Sequence, residues 1–250
     1  MKVSEFFLTI YFWTLTIPSL LVTFFICVLC YPFMDEKTFA RCYELIMGKT
    51  LLLAMTLFGF WKIRITDLRR NKSWIDSYGR EKRFVVIANH VSYIDSLVSV
   101  LIPHLKKKFL MAAVFSKVPI FGFLTKHSGY VTAERGNPTL NKTAVNRAIN
   151  AIRKDSSSFQ IYVEGRREIT PYKFEPFKTG AYRIAYQTGL EILPVTLKGT
   201  YDGMHGATVG FADIEIIIDE PFKVDNEDYP YYIAHSKNLF SKNLGILVRE

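Results

Sequence analysis

Charge is missing from the start of this chain. Phe6 to Met34 contains no Asp, Glu, Lys or Arg in 29 positions, and after a short polar joint Thr50 to Trp61 adds twelve more uncharged positions. A helix crosses the hydrocarbon core of a bilayer with about 20 apolar residues, so the first run is long enough to span and the second is not. Pro18 leaves two forms open for the first run, one tilted span or a re-entrant pair resting in one leaflet. A short apolar core followed by a small-residue cleavage site is also lacking, which argues against a secretory signal peptide. Cysteine is scarce. Cys27, Cys30 and Cys42 all lie in or beside the uncharged part, which suits neither a disulfide framework nor a four-ligand zinc site, and the Cys-x-x-Cys spacing is read as coincidence. No internal repeat or low-complexity segment interrupts the rest.

What the chain does have is an apolar share of 49%, high even for a large core, and a surplus of basic residues. Lys+Arg and Asp+Glu both number four before Trp61, so the remaining 28 against 19 carry the whole +9. Such a surplus suits nucleic acid, anionic lipid or a phosphorylated substrate, and beside an apolar anchor the lipid-facing choices are favoured over nucleic acid.

A boundary is expected near residue 60, with membrane-anchoring helices over 1–60 and a folded domain over 61–250. Trp61 to Ile65 alternates apolar with basic residues, as a half-buried strand does. Asn71 to Arg83 reads as a loop, and Phe84 to Ala88 is a continuous apolar run of the kind buried on both faces. Asn137-Pro138 supplies an N-cap and a first-turn proline for an amphipathic helix through Ile152. Phe159 to Val163 reads as a strand, Lys178 to Gln187 as a helix closed by Gly189, and Ile192 to Leu197 and Ala212 to Ile218 as further strands. The expected fold is α/β, a mixed, largely parallel sheet flanked by helices and preceded by an apolar N-terminal helical membrane anchor.

At the end of the buried strand 84–88 stands Asn89-His90-Val-Ser92-Tyr-Ile-Asp95. Ser92-x-x-Asp95 before an apolar segment has the form of a capping box, with Ser92 as the cap and the carboxylate folding back past it. That fold brings Asp95 close to His90. A carboxylate beside a neutral imidazole fixes its tautomer and stabilises the charge it gains on accepting a proton, as a general base requires.

The same residues resemble the NHxSxxD (HxxxxD) signature of the glycerolipid acyltransferases, the family that includes lysophosphatidic acid acyltransferase. Further matches follow in order: Ser128 to Asn137, containing Arg135 at the end of a strand; Tyr162-Val-Glu164-Gly165-Arg166-Arg167-Glu168, similar to FPEGTRS; Pro176-Phe-Lys178-Thr-Gly180-Ala181; and Ile192-Leu-Pro194-Val195. In the third block Val163, Arg166 and Glu168 depart from the family's proline, threonine and serine.

The resemblance implies an enzyme that moves a fatty acyl group from acyl-CoA or an acyl carrier protein to a lysophospholipid, lysophosphatidic acid foremost, with another lysophospholipid or glycerol 3-phosphate as the alternative acceptor. It implies His90 as the base and Asp95 as its orienter, with direct attack by the acceptor hydroxyl. Arg167 suits a forked contact to phosphate, Arg135 a second, and Glu164 a hold on an arginine or a substrate hydroxyl. Gly165 permits a tight turn beside the substrate. Lys117, within the apolar stretch Phe109 to Leu124, belongs to an acyl slot or a lipid-dipping surface helix. No metal and no cofactor is expected beyond the acyl donor. The membrane lipids are the expected partners, at the endoplasmic reticulum in a eukaryote or the inner membrane in a bacterium. Lys106-Lys107-Lys108 reads as a solvated basic turn, and His104, His127, His205 and His235 have no partner at ligand spacing. Two rivals stand beside this reading: a lipid-binding scaffold of the same fold, and a metal-dependent hydrolase using His90, Asp95 and Glu164.

Overall fold

The structure is a computed structural model describing residues 2–35, 38–39, 50–102, 105, 107–118, 122–123, 126–134, 138–154, 157–167, 170 and 173–246. Its strands are β1 (Trp61–Asp67), β2 (Phe84–Ala88), β3 (Lys107–Ala112), β4 (Val131–Ala133), β5 (Ser158–Tyr162), β6 (Glu191–Lys198), a small hairpin of β7 (Met204–His205) and β8 (Thr208–Val209), and β9 (Ala212–Ile218). Seven form one sheet in the order β1-β9-β6-β2-β5-β3-β4. Only the β6–β9 contact is antiparallel; the other neighbours run parallel.

β2 shows why a continuous apolar run suits the centre of such a sheet. All five of its residues are buried, and successive side chains point to opposite faces. Phe84, Val86 and Ala88 join one core, with Leu193, Val195 and Val98, while Val85 and Ile87 join the other, with Ala148, Ile149, Tyr182 and Ile184. Helices Pro138–Lys154, Gly180–Thr188 and Tyr229–Leu244 supply the second core. The helix expected over Lys178 to Gln187 begins two residues later and ends at Gly189 in the left-handed region (φ 71°), which glycine adopts without strain. The helix after Asn137 begins at Pro138, and Asn137 itself lies outside the described residues.

The first core is closed by the N-terminal segment. Helix Val3–Cys30 is continuous through Pro18, so a re-entrant pair turning at that proline is not formed. Its 28 residues extend about 42 Å at 1.5 Å each. Leu8 and Phe12 pack with Leu52, Met55 and Trp61, and the Trp13 indole N–H donates to the Ala207 carbonyl in the hairpin turn (2.9 Å). Leu8, Phe12, Thr16, Thr23 and Cys27 form the buried stripe, while Phe7, Phe25 and Leu29 stay exposed. Helix Val3–Cys30 and the 3₁₀ turn after it together form a segment long and apolar enough to cross a membrane.

Two expectations are corrected. Lys107 and Lys108 are buried in β3, between β5 and β4, rather than sitting in a solvated turn; Lys106 lies outside the described residues. Burial is tolerated because the aliphatic stems pack and the Lys107 ammonium donates to the Ser99 carbonyl. Residues 109–112 belong to the same strand, and Ala113–Lys117 is a 3₁₀ turn, so a surface helix does not begin at Phe109.

Where β2 and β6 part, Asn89 continues their pairing with its side chain. The buried amide donates to the Leu197 carbonyl (2.9 Å) and accepts the Leu197 N–H (2.8 Å). Asn89→Ala leaves two buried backbone groups without partners and is expected to lower unfolding free energy by about 2–4 kcal/mol in denaturant titration. A loss below about 0.5 kcal/mol, the size of an ordinary surface change, would show that the link contributes little.

Candidate active site

The parallel register determines which residues meet. Ala88 of β2 lies opposite Tyr162 of β5, so the chain leaves the sheet at the same edge in both strands, and two residues further on stand His90 and Glu164. Ligands commonly gather at this carboxyl edge of an open α/β sheet. The His90 backbone N–H donates to Glu164 Oε1 (3.0 Å), and Glu164 Oε2 accepts the Glu175 N–H (3.1 Å). Glu164 is 1% exposed, so its carboxylate works largely out of water as a brace between two loops. Gly165 makes the turn that follows, at φ 69°.

Asp95 organises the first loop. Its Oδ2 meets His90 Nδ1 at 2.7 Å and accepts the N–H groups of Val91 and Ser92, both at 2.8 Å. An ionised carboxylate only accepts, so Nδ1 carries the hydrogen and the lone pair of neutral His90 is left on Nε2. The Asp95 side chain is fully buried, while that of His90 is 17% exposed and can meet a substrate. The expected capping box is half formed. The carboxylate does turn back to the Ser92 N–H, but the helix Asp95–Ser99 starts without a side-chain cap. The Ser92 hydroxyl instead donates to the Met204 carbonyl of β7 (2.6 Å) and accepts the Ile94 N–H (3.3 Å). Ser92 therefore ties the loop to the hairpin.

Aromatic rings complete the setting. Tyr162 stacks on the His90 imidazole with centroids 4.0 Å apart and planes 14° from parallel, and its hydroxyl donates to Ser96 Oγ (3.2 Å). Burial pushes the Tyr162 phenol well above its ordinary range, and the Asp95 carboxylate adds to the effect, so the ring stays protonated. Arg167 lies over the Tyr93 ring at 3.3 Å, whereas its neighbour Arg166 pairs with Glu175 at 2.5 Å. Lys117 is exposed at the end of the 3₁₀ turn after β3, with no hydrogen bond to this cluster among the described residues. Arg135 lies outside the described residues, two positions beyond the end of β4.

His90, Asp95, Glu164 and Gly165 are thus gathered at one sheet edge, with Arg167 on the loop that follows Gly165. Sequence reasoning had no place for Tyr162, Tyr93 or the Asn89 amide as parts of this arrangement. The aromatic side chains occupy the same sequence blocks as the residues that were singled out, and that proximity was the available signal. Among the described residues no group of three or more His, Cys, Asp or Glu is arranged to hold a metal ion.

Known proteins share this architecture. A family model described as Acyltransferase matches residues 62–198. The chain is 27% identical over 197 residues to a chloroplastic 1-acyl-sn-glycerol-3-phosphate acyltransferase of Brassica napus, covering 78% of this chain and 55% of that protein. It is 33% identical over 173 residues to a 1-acyl-sn-glycerol-3-phosphate acyltransferase of Cocos nucifera, covering 65% of this chain and 54% of that one. The chain therefore spans about half the length of these curated relatives. The crystal structure of the 1-acyl-sn-glycerophosphate acyltransferase PlsC from Thermotoga maritima superposes with a TM-score of 0.76, covering 100% of this chain and 99% of that one at 19% identity, which establishes a shared fold. With the family model matching more than half of its residues, across the segments that hold His90, Asp95, Glu164 and Arg167, the chain belongs to the acyltransferase family.

Proposed function

We propose that this protein transfers a fatty acyl group from acyl-CoA, or from an acyl carrier protein, to the free hydroxyl of lysophosphatidic acid, giving phosphatidic acid. The observation that carries this reading is the 2.7 Å contact between His90 Nδ1 and Asp95 Oδ2, which leaves the lone pair on Nε2 of a partly exposed imidazole. The acceptor oxygen attacks the thioester carbonyl while its proton passes to Nε2. Collapse of the tetrahedral intermediate breaks the carbon–sulfur bond, and the thiolate recovers the proton from the imidazolium. Asp95 holds the ring and offsets its transient charge. Arg167 takes the acceptor phosphate, with Arg135 as a second contact and Lys117 further along the same carboxyl edge of the sheet. The acceptors named for the relatives support lysophosphatidic acid. Glycerol 3-phosphate or another lysophospholipid is the alternative acceptor, since the third block departs from its usual form at Val163, Arg166 and Glu168. Of the two adjacent arginines, Arg166 pairs with the Glu175 carboxylate while Arg167 lies over the Tyr93 ring, which supports Arg167 as the phosphate contact.

Residues 1–60 are proposed to hold the domain of residues 61–250 at a membrane, where both the acceptor and the product reside. The exposed side chains Phe7, Phe25 and Leu29 are the contact, since an apolar face of this length is unfavourable in water. A lipid-binding scaffold would need no oriented base, and the formed dyad favours catalysis over that role.

With oleoyl-CoA and lysophosphatidic acid, His90→Ala is expected to lower kcat about 10³-fold and Asp95→Asn about 10²-fold or more, read as phosphatidic acid formed per minute. Product formation by His90→Ala at the parental rate would refute the base. Arg167→Ala is expected to raise KM for lysophosphatidic acid about tenfold or more, as loss of a charge-assisted contact does, while KM for oleoyl-CoA holds; equal KM values for the acceptor would remove Arg167 from the site. Replacing Phe7, Phe25 and Leu29 together with Glu spares the buried stripe of the helix. It should shift the protein from the carbonate-washed membrane pellet to the supernatant, and unaltered pelleting would exclude this face as the anchor.

A further inference from the structure

Tyr93 occupies the loop between His90 and Asp95, three residues from the base, and it is about half exposed. The Arg167 guanidinium comes from a different loop, after β5, and lies 3.3 Å above the Tyr93 ring. A guanidinium over a ring face is held by attraction to the ring's electrons, yet its N–H groups all point outward from its edge and stay free to donate. A carboxylate in the same place would compete for those donors, as Glu175 does at Arg166. Among the described residues Arg167 has no carboxylate partner.

We propose that Tyr93 is a positioning residue that sets the reach between His90 and Arg167, selecting acceptors whose free hydroxyl and phosphate sit on neighbouring carbons. This rests on the reading of Arg167 as the phosphate contact. The loop connecting the base to Tyr93 is stiff, because Val91 and Ser92 both donate to Asp95 Oδ2 and Ser92 is tied to the hairpin. A side chain stacked on Tyr93 is therefore held at a set distance from the imidazole. Arg167 would otherwise sweep a wide volume on its flexible stem, and ordering it would weigh against binding. The selected ligand class is a glycerol phosphate with an adjacent free hydroxyl. An acceptor whose free hydroxyl lies further along the glycerol from its phosphate places one of the two out of register with its loop.

The test is a double-mutant cycle on the full chain in detergent micelles, with oleoyl-CoA as donor and lysophosphatidic acid as acceptor. Y93L is expected to raise the acceptor KM about 3- to 30-fold, the range for losing a guanidinium–ring contact, with a smaller change in kcat and no change in KM for oleoyl-CoA. Y93F, which keeps the ring, is expected to recover most of the acceptor KM. In an R167A background, Y93L is expected to add nothing further, because the stacked partner is gone. Acceptor KM unchanged by Y93L, while R167A raises it, overturns the proposal and leaves the phosphate reading of Arg167 intact. An undiminished effect of Y93L in the R167A background also overturns it, since Tyr93 would then act by some other route. Acceptor KM unchanged by R167A removes the reading of Arg167 and the proposal with it. A melting temperature for Y93L matching the parent, measured alongside, separates misplacement of Arg167 from unfolding of the loop.

Discussion

One oxygen atom holds the first loop of the site together. Asp95 Oδ2 meets an imidazole N–H and two successive backbone N–H groups, so the ring, the loop and the start of a helix share a single anchor. Hydrogen bonds to a charged acceptor are stronger than neutral ones, and the anchor is fully buried, where competition from water is weak. The tautomer that leaves Nε2 basic follows from this arrangement without any further group. Were the carboxylate lost, the two N–H groups and the imidazole would lose their common partner together.

A second buried carboxylate repeats the device across the sheet edge. Glu164 gives one oxygen to the His90 backbone and the other to Glu175, joining a loop after β2 to loops after β5. The His90 loop is therefore restrained both from its own helix and from the neighbouring strand. Tyr162, the last residue of β5, stacks on the imidazole face and ties back to Ser96 within the Asp95–Ser99 helix. Two parallel strands thus deliver His90, Asp95, a buried brace and a ring to one place, and Arg167 arrives on the continuation of the same loop.

The N-terminal helix has two faces with different roles. Its buried stripe closes one core of the sheet through Leu8 and Phe12, beside Trp61, and Trp13 bonds to the hairpin that also receives the Ser92 hydroxyl. Its other face is apolar and exposed. The helix and the site are therefore linked through packed structure, by way of the hairpin β7–β8. Pro18 sits within the continuous helix, consistent with a lost backbone donor that neighbouring packing can offset.

Much of this was legible in the residue order. The buried run Phe84 to Ala88 announced a central strand because a strand covered on both faces needs apolar side chains at every position. The close approach of His90 and Asp95 was legible because it is local, set by a turn five residues long. The helix Tyr229–Leu244 also carries signals in the sequence, with Asp228 before it, Pro230 in its first turn and Gly245 after it. What residue order could not convey is contact between distant segments. Lys107 reads as a surface charge until β3 is seen between β5 and β4, where its ammonium finds the Ser99 carbonyl. Asn89 reaches Leu197, the His90 backbone reaches Glu164, and Arg167 reaches Tyr93 only because parallel strands align at a particular register. By itself the sequence determined the kinds of strand and helix, the apolar N-terminus and the local pair of imidazole and carboxylate, since each follows from side-chain chemistry over a few neighbouring residues. Tertiary structure alone decided which lysines are buried, that Glu164 meets the His90 backbone and what lies beneath Arg167, because those depend on strand order and register, and the Asn89–Leu197, His90–Glu164 and Tyr93–Arg167 contacts join residues about 70 to 110 positions apart.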